Sequence, residues 1–355
     1  MKQFLVAVAC GGCALVAGCA SIGPRTIPRD RADYVTSISE SWKRQMLQNL
    51  LKIRYADAPV FLDVTSVINA YALDSQLTVG GQVAHEGRGD QFATFGGNAG
   101  YSDHPTITYA PLSGEQFTRA LLTPLPISAM VFLFQSGFPA DAALRIATSE
   151  INGLDNAYGG QGNPRAGDPQ FAELLKTMRA AQDAGIVDIR NGTAKDPETA
   201  LLYVHAARDT ASGLVDKMQK LLGLNPTARE YNMVYSSHQS NDTEIAVLTR
   251  STLQVLTDFA SYIDVPAADA AQGSVFVPSR TPEQVRIFPA LMRVHSGDVA
   301  PATAHVSVRY RNQWFWIDDH DLQSKAALNF LMLLFSLAET GAPQGAAPIV
   351  TVPAR

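Results

Sequence analysis

The chain has 355 residues, of which 46% are hydrophobic and 17% are charged, and its formal net charge is −5 at pH 7. This length allows one large or two moderate domains with a substantial core, and the composition carries no signature of disorder. The mild acidity gives no reason to expect nucleic acid among the partners, because nucleic-acid binding depends on a basic surface.

The three cysteines of the chain are Cys10, Cys13 and Cys19, so every thiol lies close to the N-terminus. The rest of the chain therefore has no disulfide, no cysteine nucleophile and no thiolate metal ligand. A globular part of this size has to be stabilised by its core alone.

The N-terminal segment has the parts of a secretory signal. Lys2 gives a positively charged n-region, and residues 4–17 form an apolar h-region. The run Leu15-Val16-Ala17-Gly18-Cys19 resembles a bacterial lipobox, which ends in an obligatory cysteine. The resemblance implies that residues 1–18 are a lipoprotein signal peptide, cleaved before Cys19. An ordinary signal peptide followed by an incidental cysteine is the alternative.

The lipobox resemblance also implies that Cys19 is the lipid attachment site, with palmitate or a similar acyl chain on its thiol. Two or three chains on one cysteine give a stable anchor, whereas a single chain binds a membrane weakly and reversibly. Ala20 stands where an aspartate would favour the inner membrane. We therefore expect the protein to be anchored in the outer membrane and to face the periplasm.

Residues 19–35 are predicted to be a tether, because Pro24 and Pro28 disfavour a helix. An α+β globular body is predicted to follow over residues 36–355. Its first helix is expected at residues 37–55, where apolar side chains recur on one face.

The next part of the body is predicted to be rich in strands, because β-branched residues dominate its apolar runs. Strands are expected at residues 60–68, in the stretch up to residue 83, and at residues 106–109. Five glycines in residues 84–103 predict a loop or loose hairpin there.

From residue 113 onward the apolar pattern is helical, and it predicts a helical subdomain over about 113–226. Helices are expected at residues 114–122, 127–135, 140–151, 169–184 and 200–222. The connection over residues 156–168 is rich in glycine and longer than most structural loops, so it could cover a site.

Strands return in the last third of the chain. They are expected at residues 231–236, 243–248, 291–295, 305–310, 314–317 and 348–352, with helices at 253–263 and from 318 to about 339. The apolar part of the last helix is too short to span a membrane, so a core helix is expected. The order of elements predicts an α+β fold, in which N- and C-terminal strands share a mixed or antiparallel sheet around a central helical insertion.

The densest group of chemically capable side chains is Asp318-Asp319-His320-Asp321, here called the acidic segment. Carboxylates and imidazole are common metal ligands and acid–base groups. Neighbouring residues do not all face one ion, however, and the segment opens a helix. We therefore favour a role in which Asp318 or Asp319 caps that helix, while Asp321 complements its dipole and forms an ion pair with Lys325, four residues on.

Arg250 lies between a predicted strand and a predicted helix, which allows two interpretations. It could bind an anion at the helix N-terminus, or it could be a buried arginine paired with carboxylates. The second is favoured. No HExxH, GxSxG or phosphate-binding glycine motif occurs, so no catalytic, cofactor-binding or metal-binding residue is predicted.

Four blocks of the sequence together carry a resemblance to a known group. They are residues 55–62 (YADAPVFL), 248–251 (LTRS), 314–319 (WFWIDD) and 324–325 (SK). They are similar to a group of uncharacterised proteobacterial envelope lipoproteins with no assigned activity. The resemblance implies membrane anchoring and nothing about chemistry.

The sequence thus predicts an outer-membrane lipoprotein that is a non-enzymatic interaction or structural component of the cell envelope. Its expected partners are the membrane, through Cys19, and an envelope protein. One alternative is an envelope hydrolase with its site in the acidic segment. The other is a periplasmic small-ligand binder that uses Trp314 and Trp316.

Overall fold

A computed structural model of the chain describes residues 22–68, 71–82, 92–103, 106–112, 114–161, 164–192, 199–205, 212–339 and 350–353. The helices are α1 (Ile22–Arg54), α2 (Gly114–Leu122), α3 (Ile127–Gln135), α4 (Ala140–Ala147), α5 (Pro169–Asp183), α6 (Ser212–Leu222), α7 (Thr252–Ala260), α8 (Ala267–Ala271), α9 (Pro282–Ile287) and α10 (Leu322–Glu339).

The strands are β1 (Phe61–Ile68), β2 (Tyr71–Gln82), β3 (Phe92–Asp103), β4 (Thr106–Leu112), β5 (Thr148–Ile151), β6 (Leu154–Asp155), β7 (Val187–Asn191), β8 (Ala200–Val204), β9 (Glu230–Tyr235), β10 (Glu244–Thr249), β11 (His295–Gly297), β12 (Ala304–Tyr310), β13 (Gln313–Asp318) and β14 (Val350–Pro353). Helices and sheets are both well represented, which confirms the predicted α+β class.

The first helix differs from the prediction, because α1 begins at Ile22 and covers most of the predicted tether. Pro24 lies in the first turn, where a missing N–H removes no helical hydrogen bond. Pro28 lies beyond that turn and leaves the carbonyl of Pro24 without its usual donor. The expectation that these prolines prevent a helix is therefore wrong. Residues 1–21, which include the predicted signal peptide and Cys19, lie outside the described residues.

The chain divides into two compact units, and the first comprises residues 1–41, 62–111 and 346–355. Its described strands form a three-stranded sheet in the order β1-β4-β14 and a two-stranded β2–β3 hairpin. Strand β14 pairs with β4 in antiparallel register, with Val350 opposite Tyr109. The predicted sharing of a sheet by N- and C-terminal strands is therefore confirmed.

The second unit comprises residues 42–61 and 112–345, and its largest sheet has the order β6-β5-β10-β9-β8-β7. All neighbours in this sheet are antiparallel except β9 and β10, which are parallel. Helix α3 lies against β7, β8 and β9, while α5 packs between α4 and α6.

Two of the predicted central helices are wrong in part. Residues 200–204 form β8, and the helix begins only at Ser212. The helix predicted over residues 140–151 ends at Ala147, and β5 follows. Residues 113–226 therefore contain helices and also four strands of the large sheet. Short apolar runs carry too little periodicity to separate a buried strand from a buried helix.

The C-terminal part of the second unit is built around the hairpin of β12 and β13. Arg311 and Asn312 make its two-residue turn, both with positive φ, as a turn that matches the twist of the strands requires. The following helix, α10, buries Leu328, Leu331 and Leu334 in the core. Within the ranges that the structure describes, no helix is long and apolar enough to cross a membrane.

Candidate functional site

Two arginines and one aspartate form a buried group in the second unit, here called the arginine cluster. Arg145 belongs to α4, Arg250 follows β10, and Asp258 belongs to α7. Their side chains are only 7%, 1% and 1% exposed. One carboxylate oxygen of Asp258 accepts hydrogen bonds from Arg250 at 3.0 Å and from Arg145 at 3.5 Å.

The elements that hold the cluster meet through backbone contacts. The N–H of Arg250 donates to the carbonyl of Ala147 at the end of α4. Helix α7 begins directly after Arg250 with a capping box, in which the side chains of Ser251 and Gln254 each bond the other's backbone N–H. Asp258 therefore lies about two turns into α7, on the side that faces α4.

The cluster also fixes the connection that follows β6. The second carboxylate oxygen of Asp258 accepts a 2.7 Å hydrogen bond from the N–H of Gly159. The carbonyl of Ala157 accepts hydrogen bonds from Arg250 at 2.6 Å and from Arg145 at 3.0 Å. Arg145 donates its remaining terminal nitrogen to the hydroxyl of Tyr262 at 2.7 Å.

The arginine cluster carries one excess positive charge, because two guanidinium groups face a single carboxylate. Tyr262 does not supply a second anion, since burial, and then the charge of Asp258, raise the pKa of its hydroxyl. Burial lowers the pKa of Arg250, but an arginine stays protonated in proteins. Buried charge of one sign is costly unless an opposite charge approaches it.

A cleft of about 400 Å³ adjoins the cluster, here called the arginine cleft. Among the residues that the structure describes, three arginines line it and no carboxylate does. Most of the other lining residues are apolar. The lining consists of Arg145, Ala157, Tyr158, Pro164, Arg165, Ala166, Phe276, Val277, Pro278, Ser279, Arg280, Gln284 and Phe288.

The cleft holds its arginines by specific contacts. Arg280 donates to the hydroxyl of Ser261 at 3.0 Å, and its guanidinium lies 4.6 Å from the centre of the Tyr262 ring. Gly159 gives this guanidinium its space, because a Cβ at that position would lie 1.8 Å from a terminal nitrogen of Arg280. Arg145 lies 5.4 Å from the centre of the Phe288 ring.

The predicted covering loop, residues 156–168, supplies one wall of the cleft in its described part. Tyr158 and Arg165 face each other across this loop, and each backbone N–H donates to the other's carbonyl. Arg165 also donates to a carboxylate oxygen of Asp155 at 3.0 Å. The expectation that this long connection adjoins a site therefore agrees with the cleft.

The acidic segment does not converge on a common point. Asp321 precedes α10 and accepts hydrogen bonds from the N–H and the hydroxyl of Ser324, so it caps the helix. Asp319 pairs with Lys325 at 2.6 Å, while the side chain of His320 is 88% exposed. The capping role agrees with the favoured interpretation, but the expected ion pair of Lys325 with Asp321 is wrong, because Lys325 pairs with Asp319. The capping residue, however, is Asp321 and not Asp318 or Asp319, and the arginine cleft contains none of these residues.

The other sequence candidates lie apart from the cleft as well. Trp314 and Trp316 belong to β13, where Trp316 faces His295 with ring centres 5.8 Å apart, and neither tryptophan lines the cleft. Arg250 is the buried, paired arginine that the sequence favoured. In the parts of the chain that the structure describes, no three His, Cys, Asp or Glu residues are arranged to hold a metal ion.

The sequence did not single out Arg145, Asp258 or Arg280. The available signal was the position of Arg145, a charged residue that is flanked on both sides by apolar residues in the sequence of α4. Comparison of the chain with protein-family models, with curated proteins and with solved structures gave no match.

Proposed function

We propose that this protein is an outer-membrane lipoprotein of the cell envelope that acts by binding and not by catalysis. In this proposal acyl chains on Cys19 hold it at the periplasmic face, and the arginine cleft takes a small organic anion. The observation that carries the binding role is the described part of the cleft lining, which combines three arginines, no carboxylate and a largely apolar wall.

The size and chemistry of the cleft support an organic anion. Its volume of about 400 Å³ lies in the range of small-molecule sites, which are mostly apolar with a few polar groups that orient the ligand. Guanidinium groups bind carboxylates and phosphates through paired hydrogen bonds. The excess positive charge of the neighbouring cluster attracts the same ligands. We therefore expect an acidic head group joined to an apolar or aromatic body.

The hydrolase alternative has less support. It requires His320 and two carboxylates in one cleft, whereas Asp321 caps α10 and Asp319 pairs with Lys325. An envelope protein as an additional partner is part of the proposal. It is tested by crosslinking in intact cells, which should return the same envelope protein in repeated purifications.

The anchor is tested by mass spectrometry of the purified mature protein and by the substitution Cys19→Ser. We expect an N-terminal cysteine that carries acyl chains, and we expect Cys19→Ser to release the protein from the membrane fraction. Cys10→Ser is the matched control and should change neither the mass nor the fraction. An unmodified mature N-terminus, or full retention of Cys19→Ser in membranes, would contradict the anchor.

The cleft is tested with Gln284→Glu. Gln284 lines the cleft and completes the capping box of α9 with Thr281. Glutamate preserves such a box but places a negative charge in the cleft. In calorimetric titrations of the full mature protein in neutral detergent, we expect 3-phenylpropionate to bind and the substitution to weaken it at least tenfold. Phenylethylammonium is the control ligand and should not bind. Equal binding of both ligands, or no effect of Gln284→Glu, would contradict the proposal.

A further inference from the structure

A second and smaller cavity lies beside the arginine cleft and is here called the small cavity. Its volume is about 60 Å³, and it is lined by Ser149, Tyr158, Arg165, Arg250 and Gln254. A cavity needs about 10–15 Å³ to hold one water molecule, so the small cavity has space for about four to six spheres of that size. A phosphate or sulfate ion has five atoms other than hydrogen and fits this space.

Two arginines that line the small cavity each have a buried nitrogen without a hydrogen-bond partner among the described residues. Arg250 is 1% exposed, and its terminal nitrogens donate to Asp258 and Ala157. Its Nε is buried with no partner among the described residues, and the same is true of the Nε of Arg165. An unsatisfied buried donor costs about 1–3 kcal/mol, and more when it is charged. Both arginines with an unsatisfied donor belong to the lining of one cavity, which favours a ligand that accepts hydrogen bonds.

The charge around the small cavity distinguishes an anion from water. A water molecule could accept both hydrogen bonds but would leave the charge unchanged. Asp258 already serves both Arg145 and Arg250, so the neighbouring cluster retains an excess positive charge. An oxyanion satisfies the donors and balances this charge at the same time.

The residue at the third position of α7 supports the same conclusion. Gln254 lines the small cavity, and its carbonyl oxygen accepts from the N–H of Ser251 at 2.9 Å. A glutamate would complete the same capping box and would interact better with the helix dipole. Glutamine instead adds a neutral amide donor, and Ser149 adds a hydroxyl. As far as its residues are described, the lining therefore offers several donors and no carboxylate.

We propose that the small cavity is a binding site for a compact oxyanion of the size of phosphate or sulfate, held by the side chains that line it, Arg165 and Arg250 among them. The oxyanion is either a free ion or the head group of a larger ligand. This inference concerns a different cavity from the proposed function, although Tyr158 and Arg165 border both.

The test uses inorganic phosphate and the pair of variants Gln254→Glu and Gln284→Glu in the full mature protein. Both keep a capping box and add one negative charge, the first at the small cavity and the second at the cleft. At constant ionic strength set with chloride, we expect phosphate to bind at one site. Gln254→Glu should weaken it at least tenfold, and Gln284→Glu should change it less than threefold.

A second pair of variants guards against a folding defect. Arg165→Gln removes one proposed ligand from a partly exposed side chain and should also weaken phosphate at least tenfold. Arg179→Gln breaks a surface pair with Asp183, lies in neither lining, and should have no effect. Thermal unfolding and circular dichroism confirm that each variant is folded.

The outcomes separate this inference from the proposed function. No phosphate binding beyond that of chloride, or no effect of Gln254→Glu, overturns the small-cavity site. If Gln284→Glu lowers the affinity for phosphate and Gln254→Glu does not, the ion binds in the cleft, and this result also overturns the small-cavity site. If Gln254→Glu lowers the affinity for phosphate and the original protein does not bind 3-phenylpropionate, the small-cavity site is supported. The proposed binding of an organic anion in the cleft is then contradicted. If phenyl phosphate competes with phosphate, the oxyanion is the head group of a larger ligand. If phenyl phosphate does not compete, the oxyanion is a free ion.

Discussion

The arginine cluster and the acidic segment both bring charged side chains together, but they do so in opposite ways. The acidic segment is continuous in sequence, and its side chains turn to local partners or to solvent. The cluster assembles Arg145, Arg250 and Asp258 from separate elements and buries them. Proximity in sequence therefore says little about shared chemistry, whereas a buried charge has to find its partners in space.

The largest expected difference between the two regions follows from removal of one carboxylate in each. Asp258→Asn leaves two buried guanidinium groups without an anion, and breaking a buried pair costs about 3–5 kcal/mol. Asp319→Asn removes a partly exposed pair with Lys325, and ion pairs of this kind contribute little to stability. All three tryptophans lie in the second unit, so urea unfolding followed by tryptophan fluorescence measures both variants. Equal losses would show that burial does not separate the regions.

A smaller loss of stability is expected for a substitution at Gly159, where the connection after β6 contacts Arg280. Gly159→Ala places a Cβ against Arg280 and Ser261, and overpacking of this kind costs about 1–3 kcal/mol. Because Arg280 has to move, binding of 3-phenylpropionate should weaken as well. Gly213→Ala is the matched control, since a Cβ there meets nothing within 4 Å. Unchanged stability and affinity of Gly159→Ala would show that this close approach is unimportant.

A smaller loss of stability than that of Gly159→Ala is expected at the cap of α10. Asp321→Ala removes the hydrogen bonds to Ser324 and should cost about 1 kcal/mol at pH 7. Partial burial raises the pKa of Asp321, but the hydrogen bonds from Ser324 outweigh it, so the pKa is lowered overall. The carboxylate therefore stabilises the fold above the unfolded pKa of about 3.9, and this contribution is lost as the pH falls through the folded pKa.

Urea unfolding at pH 7 and at pH 3 measures the difference between the original protein and Asp321→Ala. The difference should be smaller at pH 3. A difference that does not change with pH would show that the charge of Asp321 contributes nothing to the cap.

The sequence predicted those features that depend on local patterns. The α+β class follows from the order of the elements, and the helix after the acidic segment follows from its apolar pattern. Strand β8 was missed because Ala200–Val204 is a short apolar run, whose state is decided by its neighbours β7 and β9.

The candidate site was largely beyond the reach of the sequence. Arg250 could be recognised as a buried, paired arginine from its position between strand and helix. Its partner Asp258 could not, because nothing local distinguishes an aspartate that faces the core from one that faces water. The contacts of Arg145 with Ala157 and Tyr262 join separate elements of the fold.

The single carboxylate of Asp258 has a consequence for how this protein can change over evolutionary time. Loss of Asp258 alone leaves two buried arginines without an anion. Replacement of all three residues by apolar side chains of similar volume could leave the unit as stable as before. Stability by itself thus gives no reason to keep the trio. Retention of the three charges as a set across diverged sequences would mark selection for what they attract.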